Sequence, residues 1–280
     1  MTELRALQDE VETLAATAEG ATLPPRTGDV IESLLAALES GEVRSASRGA
    51  DNVWRANPWV KRGILLGFRY GRLTSYDGQL SFVDKDTYPI RRFDVGQNVR
   101  VVPGGSSIRR GAYVAPGVVC MPPMYVNVGA HVDTGTMVDS HALIGSCAQI
   151  GKRVHVSAAA QIGGVLEPVN AAPVVIEDDV LVGGNCGVYE GTIVRARAVL
   201  AAGVVLTRGT PVFDLARETV YRATAEQPLE IPEAAVVVPG ARAVTSGWGA
   251  EHRLSLQAPV IVKYRDEKTD LATTLEAWLR

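Results

Sequence analysis

Apolar side chains recur at every sixth position through the middle of the chain. The run is Val102, Ile108, Val114, Cys120, Val126, Val132, Val138, Ile144, Ile150, Val156 and Ile162. After a gap of fourteen residues it resumes at Ile176, Val182, Val188, Val194, Leu200 and Leu206. Four residues after each of these positions the side chain is mostly small, as at Ala112, Ala130, Ala142, Ala148 and Ala160. One residue after it, Gly145, Gly151, Gly163 and Gly183 alternate with Asn127, Asp133 and Asp139. Those residue types tolerate left-handed backbone, so this column is expected to turn the corners. A six-residue period predicts a parallel β-helix, with three hexads to a triangular coil and eighteen residues between stacked positions. Coils stacked at roughly 4.8 Å give a prism on the order of 30 Å tall. The period leaves the hand open, although parallel crossovers are usually right-handed.

The flanks follow other rules. Leu4, Leu7, Val11 and Leu14 are spaced for one face of a first helix, and Pro24-Pro25 marks a turn after it. Thr27 to Ser40 reads as a second helix carrying Val30, Ile31, Leu34, Leu35 and Leu38 on one side, with Gly41 as its C-cap. A third is expected from Asn57-Pro58 through Trp59, Ile64 and Leu65. Residues 72–95, with Tyr76-Asp77-Gly78 as a turn, read as short strands entering the prism. This divides the chain into a helical N-terminal domain (1–95), a β-helix (96–212) with an external loop at 163–175, and a C-terminal part (213–280). The last contains strands near Ala234 to Val238 and Pro259 to Val262 and a helix from Thr269 to Arg280. Open sheet ends invite aggregation, so both flanks are expected to cover the ends of the prism.

Composition narrows the function. A net charge of −3 makes no case for nucleic acid or an anionic membrane as partner. No apolar run approaches membrane-spanning length, and the mixed-charge start MTELRALQDE is not a signal peptide. Cys120, Cys147 and Cys186 are odd in number and read as buried free thiols of a cytoplasmic protein.

Several stretches resemble the tetrahydrodipicolinate N-succinyltransferase family of lysine biosynthesis: Val99 to Pro103, Tyr125 to Ala130, Gly135 to Asp139, Gly145 to Lys152, Ile162 to Pro168, Ile176 to Asp178 and Ala258 to Lys263. The GSCAQIGK and IGGVLEP blocks are the most specific. The resemblance implies a left-handed parallel β-helix and a homotrimer with active sites between neighbouring prisms. It also implies succinyl-CoA as co-substrate, rather than a tightly bound cofactor, with its arm in a groove under the external loop. The acceptor would be L-2-amino-6-oxopimelate, the ring-opened form of tetrahydrodipicolinate.

Acyl transfer to an amine needs a proton acceptor, oxyanion donors and two reactants held in line. Asp139 matches the family's catalytic Asp and is the candidate that binds and deprotonates the amine. Arg100 matches a substrate-carboxylate ligand, a role suited to the two-pronged guanidinium. The family's second carboxylate falls on Gly187, leaving Glu190, of the Glu190-Gly191 pair, as a substitute at a different point of the hexad. His141 stands where close relatives carry Trp and is a candidate substrate contact. Lys263 and Arg242 are candidates for the CoA phosphates. His131, His141 and His155 raise a zinc alternative, which their spacing disfavours, so no metal is expected. The two departures also raise rival readings. One is a paralogue of specialised metabolism, like that of the tabtoxin pathway, using acetyl-CoA, another donor or a related amino acid. The other is a non-catalytic trimeric scaffold.

Overall fold

A computed structural model describes residues 2–76 and 81–266. Its centre is a three-sided parallel β-helix built from two-residue strands. The first face stacks Arg100–Val101, Val119–Cys120, Met137–Val138, His155–Val156, Leu181–Val182 and Val199–Leu200. The second stacks six strands from Ser107–Ile108 to Val205–Leu206, and the third six from Tyr113–Val114 to Glu230–Ile231. Each coil pairs with the next in register, Val132 with Ile150 and Ile144 with Ile162, for example. The second residue of each strand points inward. From Ile108 to Leu206 these side chains, all aliphatic except Cys120, form one buried column, most of it with no exposed surface.

Two features differ from the expected register. Val101, not Val102, pairs with Cys120, so the first coil carries one extra residue. The extra residue sits in the corner containing Gly104 and Gly105, where a Cβ on Gly104 would lie 2.6 Å from Pro122. The left-handed residues are also displaced from the predicted column. They fall three positions after the inward residue, at His141 (φ 62°), Cys147 (66°) and Ala159 (57°) among others. The glycines one position after the inward residue are needed for close approach instead. A Cβ on Gly151 would lie 2.7 Å from the Asp178 nitrogen of the next coil. Where Asn127, Asp133 or Asp139 takes that position, its Oδ1 accepts the following backbone N–H at 2.7–2.8 Å.

Helices α1 (Thr2–Ala15), α2 (Thr27–Ser40) and α3 (Pro58–Tyr70) form where their apolar spacing predicts them. They lie along the side of the prism, not over its end. Leu35 approaches Gly111 and Ile64 approaches Gly129, at the corner between the second and third faces. The segment after α2 then covers the third face. Ser45 Oγ donates to the Gly129 carbonyl at 2.7 Å, Arg44 Nε to Gln149 at 2.9 Å and Trp54 Nε1 to Glu177 at 2.9 Å. This placement follows from the third face itself, whose outward His131, Gln149, Val175 and Ile193 are all buried. Leu73–Tyr76 and Phe82–Lys85 pair as a hairpin. The predicted turn residues Asp77-Gly78 and the helix predicted from Thr269 lie outside the described residues. At the far end, Ala235–Val238 and Val260–Tyr264 extend the first face.

The chain leaves the prism after Ile162 and re-enters it at Val175. The excursion is tied to the chain's own helices: the buried Lys61 of α3 donates to the Ala171 carbonyl at 2.5 Å, and Leu166 packs on the helical core.

Candidate active site

Asp139 follows Met137–Val138 at the corner between the first and second faces. The Ser140 amide donates to Oδ1 at 2.8 Å. Oδ2 faces the imidazole of His155, whose Nε2 is 3.7 Å away. His155 lies one coil on, in the outward position that stacks on Met137. Its side chain is 17% exposed and that of Asp139 is 30% exposed, so the pair sits at the edge of solvent.

Register ties further candidates to this edge. Arg100 stacks on Val119 and Val119 on Met137, which puts Arg100 two strand steps below Asp139's strand, about 10 Å. In the other direction Leu181, Val199, Val236 and Lys263 continue the same outward column above His155. Lys263 is five steps above Met137, about 24 Å. Its Nζ holds Asp266 at 3.1 Å on the surface. Arg242 belongs to the hairpin of Ala241–Ala243 with Ser255–Gln257. Its guanidinium lies 5.6 Å from the ring of Phe213, in a strand adjoining that of Lys263. His141 shares Asp139's corner. Its backbone amide donates to the Pro123 carbonyl, and its exposed side chain stands at the rim.

Glu190 is elsewhere. It occupies the corner between the second and third faces two coils on, and its Oε2 accepts the Arg208 amide at 2.8 Å. Within one protomer it does not meet Asp139. Gly187 does stand on the second face beside Asp139's side of the prism, but a Cβ there would lie 2.5 Å from the Tyr189 ring. The Tyr189 ring therefore packs against the position where the family's second carboxylate falls, and against Gly163 one coil below.

His155, which the sequence suggests only as a zinc ligand, is the group beside Asp139. Its spacing carries the signal: eighteen residues after Met137, it has to stand one coil above Asp139's strand. The three central histidines end up on different parts of the prism, His131 on the third face, His141 at a corner and His155 on the first face. Among the described residues, no three His, Cys, Asp or Glu side chains gather as a metal site. His131 also faces a carboxylate, with Nε2 3.9 Å from Asp133 Oδ2. Burial, aided by the nearby Arg44 cation, pushes its pKa down to about 3 and keeps it neutral.

The helical region matches the family model described as tetrahydrodipicolinate N-succinyltransferase N-terminal over residues 6–70. Residues 173–208 match the hexapeptide repeat of succinyl-transferase. The chain is 41% identical to the 2,3,4,5-tetrahydropyridine-2,6-dicarboxylate N-succinyltransferase of Bradyrhizobium diazoefficiens, over 90% of this chain and 89% of that one. It is 40% identical to proteins of the same name from Rhodopseudomonas palustris, over 99% and 96% of the two chains, and Albidiferax ferrireducens, over 99% and 98%. A solved Campylobacter jejuni chain described as a 2,3,4,5-tetrahydropyridine-2-carboxylate N-succinyltransferase shares the fold. Its TM-score is 0.51 at 18% identity, covering 88% of this chain and 64% of that one, so this chain spans just under two thirds of its length.

Proposed function

Because the chain belongs to the tetrahydrodipicolinate N-succinyltransferase family, we propose that it transfers the succinyl group of succinyl-CoA to the amino group of L-2-amino-6-oxopimelate, the open form of tetrahydrodipicolinate. The observation that carries this reading is the edge on which Arg100 and Lys263 stand in one line of register with Met137, whose strand leads into the corner that holds Asp139. Arg100 binds an acceptor carboxylate through its guanidinium. Asp139 takes a proton from the acceptor ammonium, and the neutral amine attacks the thioester carbonyl carbon. A C–N bond forms while the carbonyl π pair moves onto oxygen. Collapse breaks the C–S bond and expels the CoA thiolate, which takes the second proton lost by nitrogen, while the first passes from Asp139 to solvent. The products are an amide and free CoA thiol. The roughly 24 Å of edge between Met137 and Lys263 gives an extended CoA arm a path with a cation at its far end.

The working form is a homotrimer. A groove needs two walls, and Glu190, turned away from Asp139 in its own protomer, is available to a neighbouring copy. The cytoplasm is the compartment that suits three buried free thiols. No helix among the described residues is long and apolar enough to cross a membrane.

Tyr189 against Gly187, with His141 at the rim, favours a second reading: a paralogue that uses another donor, such as acetyl-CoA, or a related amino acid. Thiol release from succinyl-CoA and acetyl-CoA, with tetrahydrodipicolinate as acceptor, separates the two. The first reading predicts at least tenfold higher kcat/KM with succinyl-CoA. Preference for acetyl-CoA, or turnover only with another amino acid, replaces it with the second.

A further inference from the structure

Asp139 has one oxygen held by a backbone amide and one facing a histidine. The Ser140 amide holds Oδ1 at 2.8 Å, which fixes the plane of the carboxylate and leaves Oδ2 as the oxygen that can take a proton. The side chain that Oδ2 faces is His155, 3.7 Å from Nε2. Donor contacts in unliganded active sites are often long and tighten when substrate arrives. The imidazole is set by the fold, between Met137 one coil below and Leu181 one coil above. The alternatives in the same protomer are remote or filled: Glu190 is at another corner, and Tyr189 packs against Gly187.

We propose that His155 is the positioning residue of Asp139, its Nε2–H holding Oδ2 in the orientation that receives the amine proton. The inference rests on the assignment of Asp139 as proton acceptor. The prism supplies its own comparison in Asp133 and His131. There the carboxylate has the same amide brace, from Thr134 at 2.7 Å, and a histidine at 3.9 Å. That imidazole is stacked on Tyr113 at 4.3 Å and buried on the third face, which the chain covers with its own Arg44 segment. The Asp139 pair has the same parts on an uncovered edge.

The test uses the full-length enzyme. His155→Leu is compatible with the fold, because Leu181 fills the same column one coil on. It should lower kcat roughly 10- to 100-fold, a part of the roughly 10²–10⁴ that a positioned base contributes, with KM for succinyl-CoA within about twofold of wild type. His155→Gln, which keeps an N–H donor, should recover most of that loss, and His131→Asn should leave kcat unchanged. Wild-type kcat in His155→Leu, or no rescue by His155→Gln, overturns the proposal. An independent readout is the imidazole tautomer by ¹H–¹⁵N correlation NMR. His155 should carry its proton on Nε2, and its nitrogen shifts should change in Asp139→Asn. A proton on Nδ1, or shifts indifferent to Asp139, also overturns it. Should wild type acylate no acceptor, the function reading fails, while the NMR result still decides whether the pair exists.

Discussion

The Asp139 side chain shows how one residue can serve the coil and still leave an oxygen for the proposed chemistry. Its backbone continues the ladder, donating to the Val156 carbonyl at 2.9 Å, and its Oδ1 accepts the Ser140 amide. Only Oδ2 is left for another partner. The same economy governs the glycines and the left-handed positions. Gly151→Ala forces a methyl into the backbone of the next coil and should cost about 1–3 kcal/mol. Ala159, a non-glycine at φ 57°, carries strain that Ala159→Gly relieves, so that variant should gain up to about 1 kcal/mol. Chemical denaturation of both variants checks the pair, and equal effects would contradict the steric account. The sequence shows which residues turn corners only in part. Gly, Asn and Asp one position after the inward column look like left-handed residues, because the composition of that column fits two demands equally well. Close approach is the one operating there, and it depends on the distance to the next coil.

Among the elements, the third face and the segment over it are held by a buried carboxylate. Glu177 accepts Trp54 Nε1 and Arg195 Nη1 at 2.9 Å and the Ala196 amide at 3.1 Å, with Arg48 3.6 Å away. Glu177→Ala leaves the Trp54 Nε1 and Ala196 amide donors without this acceptor, while the half-buried Arg195 keeps Glu230, and should cost on the order of 1–3 kcal/mol. Hydrogen exchange should quicken first in residues 46–56, and uniform quickening would contradict this role. His131 lies in the same layer. Its pKa falls from an ordinary value of 6.5 to about 3, so between these pH values the unfolded chain binds a proton that the folded chain refuses. Stability from this group is complete above about pH 6.5 and falls as pH drops toward 3, by about 1.4 kcal/mol per unit. His131→Asn should flatten that part of the stability curve. The helices are legible from their apolar spacing, and α2 has the predicted bounds. Where they dock is not, because the polar groups that dictate it, Ser45, Gln149 and Glu177, carry no periodic signal.

At the scale of the whole molecule, the prism is a ruler: each coil moves a side chain by one strand spacing, so sequence separation becomes distance along an edge. That is why the spacing of Arg100 and Asp139 along the chain already places them two coils apart, and why the relation survives the extra residue at Gly104-Gly105. The hand of the coil and the direction each corner faces do not follow from period, although counting seven hexads from Val138 to Val188 already puts Glu190 at a different corner from Asp139. Light scattering on the purified protein should give three times the 29.8 kDa chain mass, and a stable monomer would remove the second wall of the groove. The most direct measurement is succinyl transfer by Asp139→Asn beside wild type, with CoA binding by calorimetry and oligomeric state in parallel. The account predicts wild-type turnover, and in the variant a loss of at least 100-fold in kcat with CoA affinity and assembly intact. A variant that turns over like wild type, or a wild-type protein that neither binds CoA nor releases thiol, would contradict it.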